Sequence, residues 1–270
     1  MPDLSEFQYW IVYNIFSLTV ATMGAATLFF FFAPGVIKKY RPAMVVTGLV
    51  TAIAFYHYNQ IRVSWEEAYA VAEAGGYAFQ ASHPFNDFYR YADWLLTVPL
   101  LMVELIAVMA LPKKEGRGLL ALLIPLVVLM IVTGYPGESA ISAQAGGAEG
   151  GGAAIWGWFI VSMIFFVAIL GVLFTKLTGA INRQPDEVKP LINFARIVVL
   201  ITWSFYPIAY LIGALGGKTA SGVVGLQIGY ALADITAKAG FGVLIYLIAT
   251  KKSELEGGAE ASQMGAPATA

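Results

Sequence analysis

The sequence predicts an all-α membrane protein, a bundle of seven transmembrane helices. Hydrophobic residues make up 59% of the 270 residues, whereas charged residues make up 12%. Stretches of about 20 apolar residues, each long enough to cross a bilayer, recur along the chain. This composition is typical of membrane proteins. The seven predicted spans cover residues 8–34, 43–62, 88–111, 119–137, 154–178, 192–215 and 222–250.

The first two spans are followed by a loop that contains polar residues. No basic segment precedes the first span, so it is interpreted as a retained helix and not as a cleaved signal peptide. His57, in the second span, is either a structural histidine among aromatic residues or a functional one near the end of that span. Beyond it, polar and aromatic residues alternate around Gly75 and Gly76, where a short β-hairpin could form.

The third span has a polar face. Arg90, Asp93, Thr97 and Glu104 are spaced by three, four and seven residues, which places them on one side of a helix. Asp93 and Glu104 are then separated by about 16 Å along the helix axis. The Thr97 hydroxyl lies one turn from Asp93, where it could donate a hydrogen bond to that carboxylate.

The next three spans contain aromatic clusters. Span four is predicted to end in an external turn at residues 134–138, with Glu138 at the surface. Span five opens with two tryptophans, and span six carries Trp203, Tyr206 and Pro207. Aromatic side chains beside a proline kink are usually core packing, but they would also enclose a flat polyene.

The seventh span carries a lysine near its middle. Lys238 lies four residues after Asp234, on the same helical face. A lysine at this depth costs a few kcal/mol, so such residues usually mark a functional site. The pair is either a structural ion pair or a site where Lys238 binds a carbonyl compound as a Schiff base.

The basic residues predict the orientation of the bundle. Eleven lie in the loops after spans one, three, five and seven, whereas Arg62 and Lys218 lie in the opposite loops. Cytoplasmic loops accumulate lysine and arginine, so the N-terminus is predicted outside and the C-terminus in the cytoplasm. Residues 1–252 are predicted to form the transmembrane domain, and residues 253–270 a disordered cytoplasmic tail.

Composition also limits the chemistry. The chain contains no cysteine, which excludes disulfide and thiol chemistry, and no metal site is predicted. A net charge of −1 gives no indication of a nucleic-acid partner.

Two motifs resemble a known family. The stretch from Arg90 to Glu104, the segment from Asp234 to Lys238 and the seven spans closely resemble microbial (type 1) rhodopsins, in particular the proteorhodopsin and xanthorhodopsin-like proton pumps. The resemblance implies that Lys238 binds all-trans retinal as a protonated Schiff base with Asp93 and Asp234 as counterions. It also implies that Asp93 accepts the proton and that Glu104 is the cytoplasmic proton donor.

The resemblance assigns further residues. Asp, Thr and Glu at positions 93, 97 and 104 match the pattern of outward proton pumps, and His57 matches the histidine that pairs with the acceptor. Leu101 matches a colour-tuning position at which leucine is typical of green-absorbing members. The positions that match retinal-pocket residues are Trp94, Trp203, Tyr206 and Pro207. Some members bind a carotenoid antenna beside a glycine of span five; Phe159 aligns there, so no antenna is expected, although another register would place Gly157 there.

The expected function is therefore light-driven outward proton transport and not enzymatic catalysis. The protein is expected in a bacterial inner membrane as a pentamer or trimer. One alternative is a sensory photoreceptor that signals through a transducer, which the carboxyl group of Glu104 disfavours because a pump needs rapid reprotonation. The second alternative is a seven-helix transporter that does not use retinal, and this function would leave Lys238 unexplained.

Overall fold

The computed structural model describes residues 1–145, 151–216 and 219–264. It confirms the predicted seven-helix membrane fold with a small β-hairpin. The elements are α1 (Glu6–Phe32), α2 (Arg41–Glu67), β1 (Tyr69–Val71), β2 (Tyr77–Phe79), α3 (Phe88–Met109), α4 (Lys113–Ala145), α5 (Gly152–Phe174), α6 (Lys176–Asn182), α7 (Lys189–Gly216), α8 (Ala220–Asp234), a π-helical turn (Ile235–Gly240) and α9 (Phe241–Met264).

The long helices form a closed bundle. Each long helix from α1 to α5 packs against the next, α5 contacts α7, and α7 contacts α8 and α9. The segment formed by α8, the π-helical turn and α9 is the seventh span, and it returns to α1 and α2. The last span therefore lies beside both the first helices and α3.

Among the described residues, six helices are long and apolar enough to cross a membrane, by length and composition alone. The remaining long helix, α2, has 27 residues but is more polar. Its polar side chains Thr47, Thr51, His57 and Ser64 are buried. They face the interior of the bundle and not the lipid, so α2 can still serve as the seventh span.

The β-hairpin lies between α2 and α3. Tyr69 pairs with Phe79, and Leu4 extends the pairing by exchanging backbone hydrogen bonds of 2.9 and 2.8 Å with Tyr77. Gly76 has a φ of 80°, and a Cβ atom there would lie 2.6 Å from the Leu4 carbonyl oxygen. The turn therefore needs glycine both for its left-handed backbone and for the close approach of the N-terminal segment.

Helices α4 and α9 extend furthest beyond their predicted ends. The predicted turn at residues 134–138 is wrong, because α4 continues through it to Ala145 with Pro136 inside the helix. Helix α9 continues to Met264, past the predicted domain boundary at residue 252. Ser253 and Glu256 bind the segment after α1, which fixes this part of α9. Residues 265–270, the last part of the predicted tail, lie outside the described residues.

Candidate functional site

Lys238 lies between two carboxylates in the centre of the bundle. Its Nζ is 2.7 Å from Oδ2 of Asp93 on α3 and 2.7 Å from Oδ1 of Asp234 at the end of α8. All three side chains are almost completely buried. Burial of an ammonium group is expensive unless it is paired, and the two carboxylates supply that pairing.

The π-helical turn contains Lys238. A π-helical turn widens the helix by one residue and changes the direction in which the following side chains point. Such turns occur frequently at functional sites, and here one places Lys238 between the aspartates of two different helices.

Asp234 is held by hydrogen bonds from three aromatic side chains. Tyr58 donates to Oδ2 at 2.7 Å, whereas Tyr206 and Trp94 donate to Oδ1 at 2.5 and 3.2 Å. These donors stabilise a carboxylate and fix its position. Asp93 pairs with Lys238 as Asp234 does, but its carboxylate accepts no such hydrogen bonds within the described residues. The two aspartates are therefore not equivalent, and Asp93 is the one less constrained by hydrogen bonds.

Arg90 connects Asp234 to the hairpin end of the bundle. Its guanidinium group donates to the Tyr58 hydroxyl at 3.3 Å and to the side-chain oxygen of Gln227. It also packs against Tyr230, with its central carbon 5.0 Å from the ring centroid. Tyr58 thus links Arg90 to Asp234 without direct contact between the two charges.

The expected hydrogen bond from the Thr97 hydroxyl to the Asp93 carboxylate does not form. It donates to the backbone carbonyl of Asp93 at 2.9 Å, because a threonine inside a helix readily binds the carbonyl four residues earlier. His57 Nδ1 lies 3.8 Å from Oδ1 of Asp93 and 3.0 Å from the Ile53 carbonyl oxygen. The histidine is therefore adjacent to Asp93, with its closest contact to its own helix.

Glu104 lies apart from this cluster. Its side chain is fully buried, and neither carboxyl oxygen has a hydrogen-bond partner within the part of the chain that the structure describes. The nearby buried residues of α3, including Leu101 and Leu105, are apolar, and the Thr47 side chain of α2 is its polar neighbour. The polar face of α3 thus carries one paired carboxyl group and one unpaired one.

A cavity opens beside Lys238. Its wall is mainly apolar and aromatic, with Lys238, Asp234 and Glu138 as the ionisable groups among its described residues. All five residues predicted for the pocket, namely Trp94, Leu101, Trp203, Tyr206 and Pro207, line it. This is the kind of site that binds a small, largely apolar ligand through a few polar groups.

Tyr58, Gln227 and Glu138 are among the side chains near the site that were not predicted. Tyr58 and Gln227 contact the charged groups directly, and a single glutamine within an apolar span is a signal that could have identified Gln227. Glu138, predicted at the surface, lines the cavity instead and accepts hydrogen bonds from Tyr91 at 2.5 Å and Tyr230 at 3.3 Å. The continuation of α4 through Pro136 brings Glu138 inside.

The two residues considered for a carotenoid site differ in their surroundings. Phe159 lines the cavity and stacks on Tyr210 with ring centroids 5.0 Å apart. Gly157 is exposed, and within the described residues a Cβ placed on it would have no neighbour within 4 Å beyond its own stretch of helix backbone. The absence of an antenna stays a prediction.

Comparisons with known proteins agree with this architecture. The family model described as bacteriorhodopsin-like protein matches residues 12–252. A green-light absorbing proteorhodopsin from Gamma-proteobacterium EBAC31A08 is 32% identical over 252 residues, which cover 93% of this chain and 88% of that protein. Cruxrhodopsin-1 from Haloarcula argentinensis is 32% identical over 82% of each chain.

Solved structures are similar over nearly the whole length. Xanthorhodopsin, described as a light-driven ion pump with dual chromophore, has a TM-score of 0.87 and 50% identity, covering 95% of this chain and 99% of that one. Thermophilic rhodopsin has a TM-score of 0.88 and 42% identity over the same shares of the two chains. The chain is therefore a multi-pass membrane protein that belongs to the bacteriorhodopsin-like family of microbial rhodopsins.

Proposed function

We propose that this protein is a light-driven outward proton pump in which retinal is bound covalently to Lys238. One observation carries the proposal: Lys238 Nζ lies 2.7 Å from Asp93 Oδ2, while the buried Glu104 lies farther along the same helix face. The sequence places Glu104 eleven residues after Asp93, about 16 Å along α3. Lys238 thus has the proposed proton acceptor, Asp93, on one side and the proposed proton donor, Glu104, on the other.

The surroundings of Lys238 fit retinal. A carbonyl compound needs a nucleophilic amine, and Lys238 is a buried lysine in the wall of a largely apolar cavity. Trp94, Trp203 and Tyr206 would hold the ligand, and Leu101 in the same wall supports a green-absorbing protein. When bound, retinal would absorb visible light and change its shape, which supplies the energy for transport.

Asp93 is proposed as the proton acceptor because of its environment. It lies as close to Lys238 Nζ as Asp234 does, but Asp234 is held by three hydrogen bonds from aromatic residues. Those bonds stabilise the charged form of Asp234, so protonation of Asp234 would cost more than protonation of Asp93. Oδ2 of Asp93 can therefore take a proton from Nζ of Lys238 while Asp234 remains the permanent counterion.

Glu104 is proposed as the proton donor. An ionised carboxyl group without hydrogen-bond partners is costly in an apolar interior, so Glu104 would carry a proton in the dark. Once Lys238 has lost its proton, Glu104 would supply a new proton to the lysine nitrogen. Glu104 would then take up a proton from the end of the bundle that is nearer to it. Asp93 and Glu104 thus divide the path into an exit side and an entry side.

The direction of transport follows from the distribution of basic residues. α3 and α8 both start at the end of the bundle that carries the β-hairpin. Asp93 and Asp234 therefore lie between that end and the level of Lys238. In the sequence, the loops predicted at the hairpin end contain two basic residues, Arg62 and Lys218, whereas the loops predicted at the opposite end contain eleven. Since cytoplasmic loops accumulate basic residues, this distribution supports a hairpin that faces outward. Protons would enter from the cytoplasm at the Glu104 end and leave past Asp93, across a bacterial plasma membrane.

The decisive experiment measures external pH during illumination. Cells or vesicles that contain the retinal-loaded protein should acidify the medium in green light, and an uncoupler should abolish the signal. A sensory rhodopsin would have the same colour but would leave the pH unchanged. A coloured protein that produces no uncoupler-sensitive pH change would overturn the proposal.

A further inference from the structure

Lys252 is a second buried lysine, away from the candidate site. Its side chain is on α9, and the residue is 5% exposed. Its Nζ donates to the Met109 carbonyl at 2.9 Å, to the Val108 carbonyl at 3.1 Å and to Oε1 of Gln184 at 2.8 Å. These bonds use all three N–H donors of an ammonium group. The charge is thereby compensated, and its position is fixed.

The two carbonyl groups belong to the end of α3. The last carbonyls of a helix have no partner within the helix and carry the negative end of its dipole. α3 ends at Met109, and Ala110 follows in a left-handed conformation with a φ of 50°. A cation from a neighbouring helix therefore caps α3. Val108 lies one turn after Glu104, about 6 Å along the axis, so the cap is close to the proposed proton donor.

Lys252 also joins three parts of the chain. It links α9 to the end of α3, and through Gln184 it links both to the connection between α6 and α7. Gln184 completes the group because its amide nitrogen donates to the Met109 carbonyl at 3.2 Å. These contacts bring α3, α9 and the connection between α6 and α7 together around the Lys252 ammonium group.

A second set of contacts covers Lys252 from the side of α1 and α2. The Tyr40 ring centroid lies 4.8 Å from Lys252 Nζ, and the Tyr40 hydroxyl donates to Glu256 one turn farther along α9. Lys39 also donates to Glu256, at 2.6 Å. The lysine is thus enclosed by aromatic and polar groups and not by solvent.

We propose that Lys252 is a positioning residue that controls how fast Glu104 regains a proton. This inference rests on the proposed function. Carbonyls at a helix end are where water would bind, and Lys252 occupies those of Val108 and Met109. A fixed positive charge at the same place opposes the approach of a proton. Opening of the Lys252 contacts therefore precedes proton uptake and limits its rate.

The test is the recovery of the dark state after a flash, measured by absorption on the full-length, retinal-loaded protein. Lys252→Met removes the charge and the three hydrogen bonds and shortens the unbranched side chain by one atom. Recovery should become faster by about three- to tenfold, the equivalent of losing part of one charge-assisted hydrogen bond. Lys252→Arg should recover at nearly the wild-type rate, because it keeps the charge and the donors.

A matched control is Lys251→Met, since Lys251 is the neighbouring lysine and its side chain is 40% exposed. It should leave the rate unchanged. Gln184→Ala removes one partner of Lys252 but not the charge, so it should accelerate recovery less than Lys252→Met. If Lys252→Met does not fold and bind retinal, Gln184→Ala still tests the proposal.

The Glu104→Gln background separates a kinetic role from a structural one. If Lys252 acts through Glu104, Lys252→Met should change recovery by less than about twofold in that background. An unchanged rate in the single variant, or the same acceleration in both backgrounds, would overturn the inference. Light-driven acidification by the wild type tests the proposed pump function separately. Failure of the pump proposal can therefore be distinguished from failure of the inference about Lys252.

Discussion

Asp93 and Glu104 lie on the same face of α3 in opposite surroundings. Asp93 Oδ2 is 2.7 Å from the Lys238 nitrogen, whereas the Glu104 carboxyl group is fully buried with no hydrogen-bond partner in the described ranges. The ammonium group beside Asp93 favours a charged carboxylate, whereas burial without such a partner favours a neutral acid at Glu104. This contrast along one helix is what a directional proton path requires.

Replacement of Asp93 by asparagine should abolish light-driven acidification and shift the absorption maximum to longer wavelength. The variant loses the acceptor and one of the two negative charges beside Lys238. A nearby negative charge stabilises the dark state of a bound cationic chromophore more than its excited state, so its loss lowers the transition energy. Vesicle pH recordings and visible spectra measure both effects. Asp186→Asn is the control, since that side chain is 92% exposed; full pumping by Asp93→Asn would refute its role as acceptor.

Replacement of Glu104 by glutamine should leave the first proton transfer intact and slow recovery of the dark state by about 10²-fold, the typical contribution of a positioned acid. Flash photolysis resolves the two phases. Glu254→Gln, in a side chain that is 61% exposed, should behave as the wild type. A normal recovery rate in Glu104→Gln would remove this residue from the proton path.

Replacement of Tyr58 by phenylalanine should lower the free energy of unfolding by about 1–2 kcal/mol, because a buried hydrogen bond to a charged group is lost. The hydroxyl contacts both Asp234 and Arg90, so the absorption maximum should shift as well. Thermal loss of colour and visible spectra provide the readouts. Tyr56→Phe, at a residue that is 57% exposed, serves as the control. Equal behaviour of the two variants would mean that Tyr58 does not hold Asp234.

Replacement of Gly242 by alanine should destabilise the bundle by about 1–3 kcal/mol through overpacking. A Cβ atom there would lie 2.5 Å from a Thr47 methyl group and 2.6 Å from the Phe30 ring. Gly225→Ala is matched to it, since no atom lies within 4 Å of the added Cβ and a helical alanine is favoured over glycine. Thermal unfolding of both variants is the measurement. A Gly242→Ala protein as stable as Gly225→Ala would contradict the close packing of α9 against α1 and α2.

Much of the fold and the site could be predicted from the sequence because the signals are local. Asp93, Glu104 and Lys238 are ionisable residues on an apolar background, and the helical repeat places the polar residues of α3 on one face. The predicted pocket residues likewise come together in one cavity. The bundle and the approximate position of the site follow from these patterns.

The remaining features depend on contacts between distant segments. Gly134, Pro136 and Gly137 are typical of a turn, but packing between helices keeps α4 helical through them and brings Glu138 to Tyr91 and Tyr230. The π-helical turn at Lys238 has no local sequence signature, and the Asp93 carboxylate that Lys238 contacts there lies on another helix. The same is true of the Lys252 cap, whose partners lie on α3 and near Gln184.

The most direct test of the central claim is to locate the retinal attachment point by chemical trapping. Reduction of the illuminated, retinal-loaded wild-type protein with borohydride, followed by peptide mass spectrometry, fixes the label without any mutation. The account predicts a single retinyl modification, on Lys238. A modification on another lysine, or a coloured protein with no covalent label, would contradict it.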